Sequence, residues 1–168
     1  DELKLDLRVN AKRMAVNEIF GEMIVASTAV DNFVVTSNQI RVSSLGLIRI
    51  DGDIEYYNGE NLADVCVRIR AYVTDAELRQ FEPIKLTKRY CVSNPDLTTT
   101  EIKELANTQA VVQALVDYDR KLQVIPEDSL LQLLQQVNFV DSGFISETET
   151  YCTRVTGSVV PIEIIAAL

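Results

Sequence analysis

Arg68, Arg70 and Tyr72 stand at alternate positions of the stretch DVCVRIRAYV, residues 64–73. In an extended chain successive side chains point to opposite faces, so these three share one side of a strand. Guanidinium and phenol groups each join apolar area to a polar end, which suits them to partner surfaces more than to bond-making. The opposite side, Val65, Val67, Ile69 and Ala71, is expected to supply a complete core face. Burying two Arg without carboxylate partners would cost several kcal/mol each. They must therefore stay wet, pair with the nearby Asp51, Asp53 and Glu55, or meet a partner. Tyr56 and Tyr57 lie on the neighbouring stretch, where alternation turns one of them outward. Tyr57, Arg68, Arg70 and Tyr72 are the candidate protein-binding set.

Other chemistry is poorly supplied. The chain has no His, which removes the usual general base near neutral pH, the Ser-His and Cys-His arrangements and the commonest metal ligand. Cys66, Cys91 and Cys152 form no CxxC and no zinc-ligand spacing. Three isolated, partly buried thiols are the expectation; a bridge between two of them, with one left free, is the alternative if the protein is exported. Cys91 sits in the basic stretch KRYCV, where cationic neighbours would favour the thiolate. Asp51, Asp53, Glu55 and Glu60 cluster in DGDIEYYNGE, and hard cations want such oxygens. The order of residues departs from an EF-hand loop, so a solvated hairpin is the expectation. The glycines are scattered, with no GxGxxG and no GKS or GKT, and nucleotide binding is not expected. No cofactor and no catalytic residue is assigned.

The bulk numbers narrow the partners. At 168 residues, 47% hydrophobic and 24% charged, the chain can build a core for one domain or two small ones. Its net charge of -9 argues against a nucleic-acid partner, which needs a concentrated basic face. Lys85, Lys88 and Arg89 make a local basic stretch without changing that balance. No apolar run reaches the roughly 20 residues needed to span a bilayer, so direct membrane insertion is not expected. DELKLDLRVNAKR opens the chain on a mixed acidic segment, beginning with Asp rather than Met, as a processed protein or a piece of a longer one would.

The elements that must position the candidate face follow from periodicity. Ala11, Ala15, Ile19, Met23 and Ala26 keep a helical spacing across residues 8–30, widened by Met14, Val16 and Ile24. Val30–Thr36 reads as extended, and Ser37-Asn38 as a turn before QIRV. Asp51-Gly52 between alternating runs is a hairpin or bulge signal, and Asn58-Gly59 a second turn. A long strand is expected from Leu62. Thr74 and Glu77 have capping-box spacing at the start of a short helix that Pro83 stops. Residues 84–92 read as a strand, and Ser93-Asn94-Pro95-Asp96 as a strong turn. Thr98 or Thr99 caps a helix carrying Ile102, Leu105, Ala106, Gln109, Val112 and Val116. A second helix is expected from Pro126 to Val137, then strands at Gly143–Ile145 and Tyr151–Val160.

Three matches recur in order. Ala11-x-x-x-Ala15 matches Ala106-x-x-x-Ala110, Gly46-Leu-Ile matches Gly143-Phe-Ile, and Cys66-x-Arg68-Ile69 matches Cys152-x-Arg154-Val155. About ten extra residues, centred on GDIEYYNGEN, enlarge the first copy at turn positions, where insertions are tolerated. The expectation is an α+β tandem duplication, each copy holding one long helix on a mainly antiparallel sheet, with copies at residues 1–93 and 94–168. The alternative is that helix and strand patterns, having a small alphabet, coincide by chance.

The stretches NAKRMAVNEIFGEMI, SLGLIRI and DVCVRIRAYV, then ANTQAVVQALV, SGFI and YCTRVTGSVV, together resemble one known pattern. It is the small α/β domain shared by the Lpp20-like lipoproteins and the N-terminal region of the flagellar assembly protein FlgT. The resemblance covers about 70 residues per copy and carries no catalytic motif; the family's Glu before the last strand has partial counterparts in Glu60 and Glu149. It implies an exported, periplasmic or envelope-associated bacterial domain that scaffolds or binds another protein. The expected partner is another envelope protein, a further domain of the same parent chain, or a second copy in a homo-oligomer. The alternative function is a sensory or small-ligand-binding module of a larger signalling protein.

Overall fold

The computed structural model describes residues 2–27, 35–61, 63–145 and 150–168. The chain forms two compact units, the first ending at Glu82 and the second beginning at Pro83. Both mix helices with antiparallel strands, and the fold is α+β.

In the first unit, helix α1 spans Glu2–Ser27, starting six residues ahead of the expected position. Its buried positions are Val16, Phe20 and Ile24, spaced by four along one face. The sequence stripe of Ala11, Ala15 and Ile19 lies beside them, half-buried, while Met23 and Met14 are exposed. The large side chains set the rotation of the helix, because they carry the most apolar area. Phe20 stacks on Phe81 with ring centroids 4.7 Å apart. The expected extended run Val30–Thr36 falls mostly on residues 30–34, outside the described residues.

Helix α2, Ser37–Leu45, replaces the expected turn before QIRV. Thr36 and Gln39 explain it. The Gln39 N–H donates to the Thr36 hydroxyl at 3.3 Å, and the Thr36 N–H donates to the Gln39 side-chain oxygen at 2.7 Å. This reciprocal cap satisfies two of the otherwise unpaired amides that begin a helix. Ile40 is fully buried behind it.

Strand β1, Arg49–Asn58, pairs antiparallel with β2, Val65–Tyr72. The register breaks between Asp51 and Glu55. Gly52 lies there at φ 73°, a left-handed backbone that favours Gly, so Asp51-Gly52 makes a bulge inside one strand. The turn comes at Gly59, whose N–H donates to the Asp64 carbonyl at 2.8 Å. The strand start expected at Leu62 lies outside the described residues, and β2 begins at Val65. Short helix α3, Asp75–Leu78, has the expected Thr74–Glu77 capping box and continues as a 3-10 turn through Phe81. Glu77 also accepts from Arg49 at 2.7 Å, tying α3 to β1. The Thr74 backbone N–H, then its hydroxyl, hold the Glu77 carboxyl below the ordinary range.

The second unit is a three-stranded antiparallel sheet in the order β3-β5-β4, with long helix α4 packed on β3 and β5. Strand β3 spans Ile84–Val92, as the sequence indicates. Helix α4, Thr99–Tyr118, has Thr98 as its cap and Glu101 as the reciprocal acid. Its buried face is Ile102, Ala106, Ala110, Val111, Ala114 and Leu115. Leu105, expected inside, is exposed, and Val112 and Val116 are half-buried. The small Ala residues let the helix approach the sheet closely. Helix α5 is limited to Glu127–Leu131, shorter than the expected Pro126–Val137. The chain leaves helical geometry there to bury Leu133 and Leu134, and strand β4, Gln135–Ile145, follows. Leu134 rests on Gly157, where an added Cβ would come within 2.5 Å of Leu134 Cγ. Strand β5, Thr150–Val159, and helix α6, Pro161–Ala167, complete the unit.

Two expectations are adjusted by this layout. The division falls at Glu82/Pro83 and not at 93/94, because β3 hydrogen-bonds along its length to β5 and so belongs with the later residues. Gly46 ends α2 ahead of β1, whereas Gly143 lies inside β4 at a register break, so that match joins dissimilar positions.

Candidate functional site

Tyr57, Arg68, Arg70 and Tyr72 come together on one face of the β1–β2 ribbon. The register sets Tyr57 opposite Cys66, Glu55 opposite Arg68, Asp51 opposite Arg70 and Arg49 opposite Tyr72. Tyr57 and Tyr72 are 46% and 47% exposed, large values for aromatic rings. The Arg68 guanidinium sits over the Tyr57 ring, 5.3 Å from its centroid. Its carboxylate partner is Glu55 at 3.6 Å, with both side chains well exposed. A pair so exposed contributes little, since water screens it. Arg70 makes no ion pair among the described residues, although Asp51 lies opposite it. Of the internal pairings open to the two Arg, one forms, and loosely.

The other face of β2 is less of a core than its composition suggests. Val67, Ile69 and Ala71 are half-buried and Val65 is exposed. Helix α1 packs against this strand. A groove of about 410 Å³ runs between them, walled by Ala11, Met14 and Ala15 of α1 and by Val67 and Ile69, with Tyr57 and Arg68 also lining it. The Lys4 ammonium lies 5.2 Å from the Tyr56 ring centroid. The alternation therefore sends Tyr57 to the Arg face and leaves Tyr56 half-buried.

The cysteines divide two to one. Cys91 of β3 and Cys152 of β5 face each other in register and are joined by a disulfide, while Cys66 is free. Cys91 is thus no thiolate, whatever its basic neighbours. Of those neighbours, Lys88 pairs with Asp117 of α4. The acidic loop behaves as solvated: Asp51, Asp53, Glu55 and Glu60 are all exposed. Among the described residues no three His, Cys, Asp or Glu side chains converge as metal ligands. Among them, too, no helix is long and apolar enough to cross a membrane.

Two clusters escaped the sequence reading. Asp141 accepts from the Gly143 N–H at 2.6 Å and lies 3.6 Å from Lys103. Its carboxyl is held low first by that N–H, while burial pushes the neighbouring Tyr151 phenol up. This cluster locks the β4 bulge and is structural. The second cluster is Arg13 and Asn17 of α1 with Asn38 and Arg41 of α2, which line one cavity of about 500 Å³ in the first unit. The signal was available: Arg and Asn recur three or four residues apart on both helices, without an acid at those spacings. The Arg41 pair lies on α2, whose cap is the uncharged Thr36–Gln39 pair, so the sequence offers no charged helix start to join it to α1.

No family model, no curated protein and no solved structure matches the chain.

Proposed function

We propose that this chain is a non-catalytic interaction domain of an exported bacterial cell-envelope protein, and that it binds another protein through Tyr57, Arg68, Arg70 and Tyr72. The observation that carries the reading is an exposed Arg and Tyr face with almost no internal neutralisation. Residues of these types dominate interface energetics when a partner desolvates them. The Cys91–Cys152 bridge favours the exported setting, because disulfides persist in oxidising compartments and are rare where thiols are kept reduced.

The finer arrangement we propose is a duplication in the style of the envelope domains it resembles. Support comes from element order: α1, α2, β1, β2, α3 in the first unit, and in the second, after the additional leading strand β3, α4, α5, β4, β5, α6. Cys66-x-Arg68 and Cys152-x-Arg154 each fall on the second strand of such a pair. The partner is then another envelope protein, a further domain of the parent chain or a second copy.

A photo-crosslinking amino acid at Tyr72, compared with one at exposed Tyr118 of α4, tests the face in the native cell. A discrete adduct is expected from position 72 alone, and Arg68→Ser with Arg70→Ser should remove it while leaving the melting temperature in place. Equal adducts at both positions, or an adduct indifferent to the two Arg, would overturn the reading.

A further inference from the structure

Arg13 sits on α1 with Val16 and Asn17 at the next turn; Arg41 sits on α2 with Asn38 behind it and Leu45 ahead. Residues three and four apart share a helix face, so each helix presents one Arg and one Asn to the cavity between them. The apolar lining comes from Val16, Val42 and Leu45. The volume of about 500 Å³ lies within the range of small-molecule sites.

The two guanidiniums are unusual in an acidic chain. Neither makes an ion pair among the described residues. The positions that could neutralise them on their own helices hold Val9, Asn10, Val16 and Asn17 around Arg13, and Ser37, Asn38, Ser44 and Leu45 around Arg41. Arg41 Nε is buried and has no hydrogen-bond partner. A buried charged donor left unpaired is costly, because it has lost its water without gaining an acceptor. Two cations without acids, an unmet donor and two carboxamides around an open cavity describe an incomplete set of interactions.

We propose that this cavity binds a small organic carboxylate, with the Arg13 and Arg41 guanidiniums on the carboxylate oxygens. Arg is suited to this task because its planar fork matches a carboxylate bidentately. Asn17 and Asn38, which also line the cavity, supply amide donors, and Val16, Val42 and Leu45 take the aliphatic part of the ligand. A bare inorganic anion would use the cations and leave the apolar wall wet. A site of this kind shares no residue with the proposed protein-binding face and stands independently of it.

The test uses the whole chain and three probes: hexanoate, hexylamine and inorganic phosphate, followed by titration calorimetry and by side-chain NMR of Arg and Asn. Hexanoate should bind and shift the Arg13, Asn17, Asn38 and Arg41 resonances, with an affinity that falls as salt rises. Arg41→Leu should weaken it by about tenfold or more, the usual scale for a charged hydrogen bond, and Arg41→Lys by less. If Arg41→Leu lowers the melting temperature, Arg13→Gln on the more exposed helix face provides the same comparison. Hexylamine binding as tightly, phosphate binding as tightly as hexanoate, or no hexanoate binding at millimolar concentration would each overturn the proposal.

Discussion

The β1–β2 ribbon and the β4–β5 pair carry the same Cys-x-Arg spacing and meet opposite fates. Strand β5 has neighbours on both edges, β3 and β4, and most of its residues are buried. Strand β2 pairs with β1 alone among the described residues, and none of its positions is fully buried. Cys152 is bridged while Cys66 is free. The difference teaches that a local motif does not fix its environment. A third strand and a helix with an Ala face turn one pair into a core, whereas the other stays largely exposed.

The sharpest way to break the comparison is to remove the bridge. Replacing Cys91 and Cys152 together by Ala should destabilise the second unit by about 2–5 kcal/mol, the usual range for a native disulfide; the bridge closes a separation of 61 residues. Cys66→Ala should change stability by no more than about 0.5 kcal/mol, as a substitution away from any special feature does. Hydrogen exchange resolved by strand measures both. Equal effects would mean that the bridge contributes no more to stability than the free Cys66 does.

A smaller effect probes the same core by pH. Glu163 of α6 is 1% exposed, accepts from the Gln135 amide at 2.8 Å, and has Oε1 buried without a partner. Burial raises its pKa from 4.5 to about 7, opposed in part by the Gln135 hydrogen bond. A carboxyl raised on folding binds its proton more tightly in the native state than in the unfolded chain. Its contribution to stability is therefore greatest below the unfolded value, is lost as pH rises towards 7, and stays lost above it. Glu163→Gln should match the parent near pH 4 and exceed it by about 2–3 kcal/mol at pH 8. Melting temperatures at the two pH values check this; a constant difference would mean that folding does not raise the Glu163 pKa.

How much of this contrast could be read from the chain depended on the range of the interactions that decide each element. Capping boxes are local, and Thr74–Glu77 and Thr98–Glu101 were legible at sight. Thr36–Gln39 obeys the same rule with an uncharged partner and was missed, and with it α2 and the Arg41 side of the cavity. The 84–92 strand was legible because alternation and Pro83 bound it. Its membership of the second unit was not, because that depends on pairing with β5 far along the chain. In α1 the Ala spacing looked like the buried stripe, but Phe20 found Phe81 and turned the helix towards itself. The Arg68, Arg70 and Tyr72 face was legible because period-2 alternation survives whatever lies beyond it. Whether acids would neutralise it was not, since the register sets Asp51 and Glu55 each opposite an Arg, yet of these two pairs only Glu55 and Arg68 come within ion-pair distance.

The smallest effect is the one that isolates this face. Arg68 touches Glu55 at 3.6 Å and the Tyr57 ring at 5.3 Å, both in the open, and Arg70 holds no carboxylate among the described residues. An exposed ion pair is worth about 0.2–1 kcal/mol and an exposed cation–ring contact about 0.5–1 kcal/mol, neither fully lost when water replaces the partner. Arg68→Ser with Arg70→Ser should therefore lower stability by less than about 1 kcal/mol. The corresponding charge on β5, Arg154, is also exposed, so Arg154→Ser provides a matched control within a braced sheet. Similar small losses in both variants would mean that neither Arg is kept for folding. A loss of several kcal/mol at Arg68 and Arg70 would assign them to internal pairing through Asp51 and Glu55, and would remove the reason to expect a partner there.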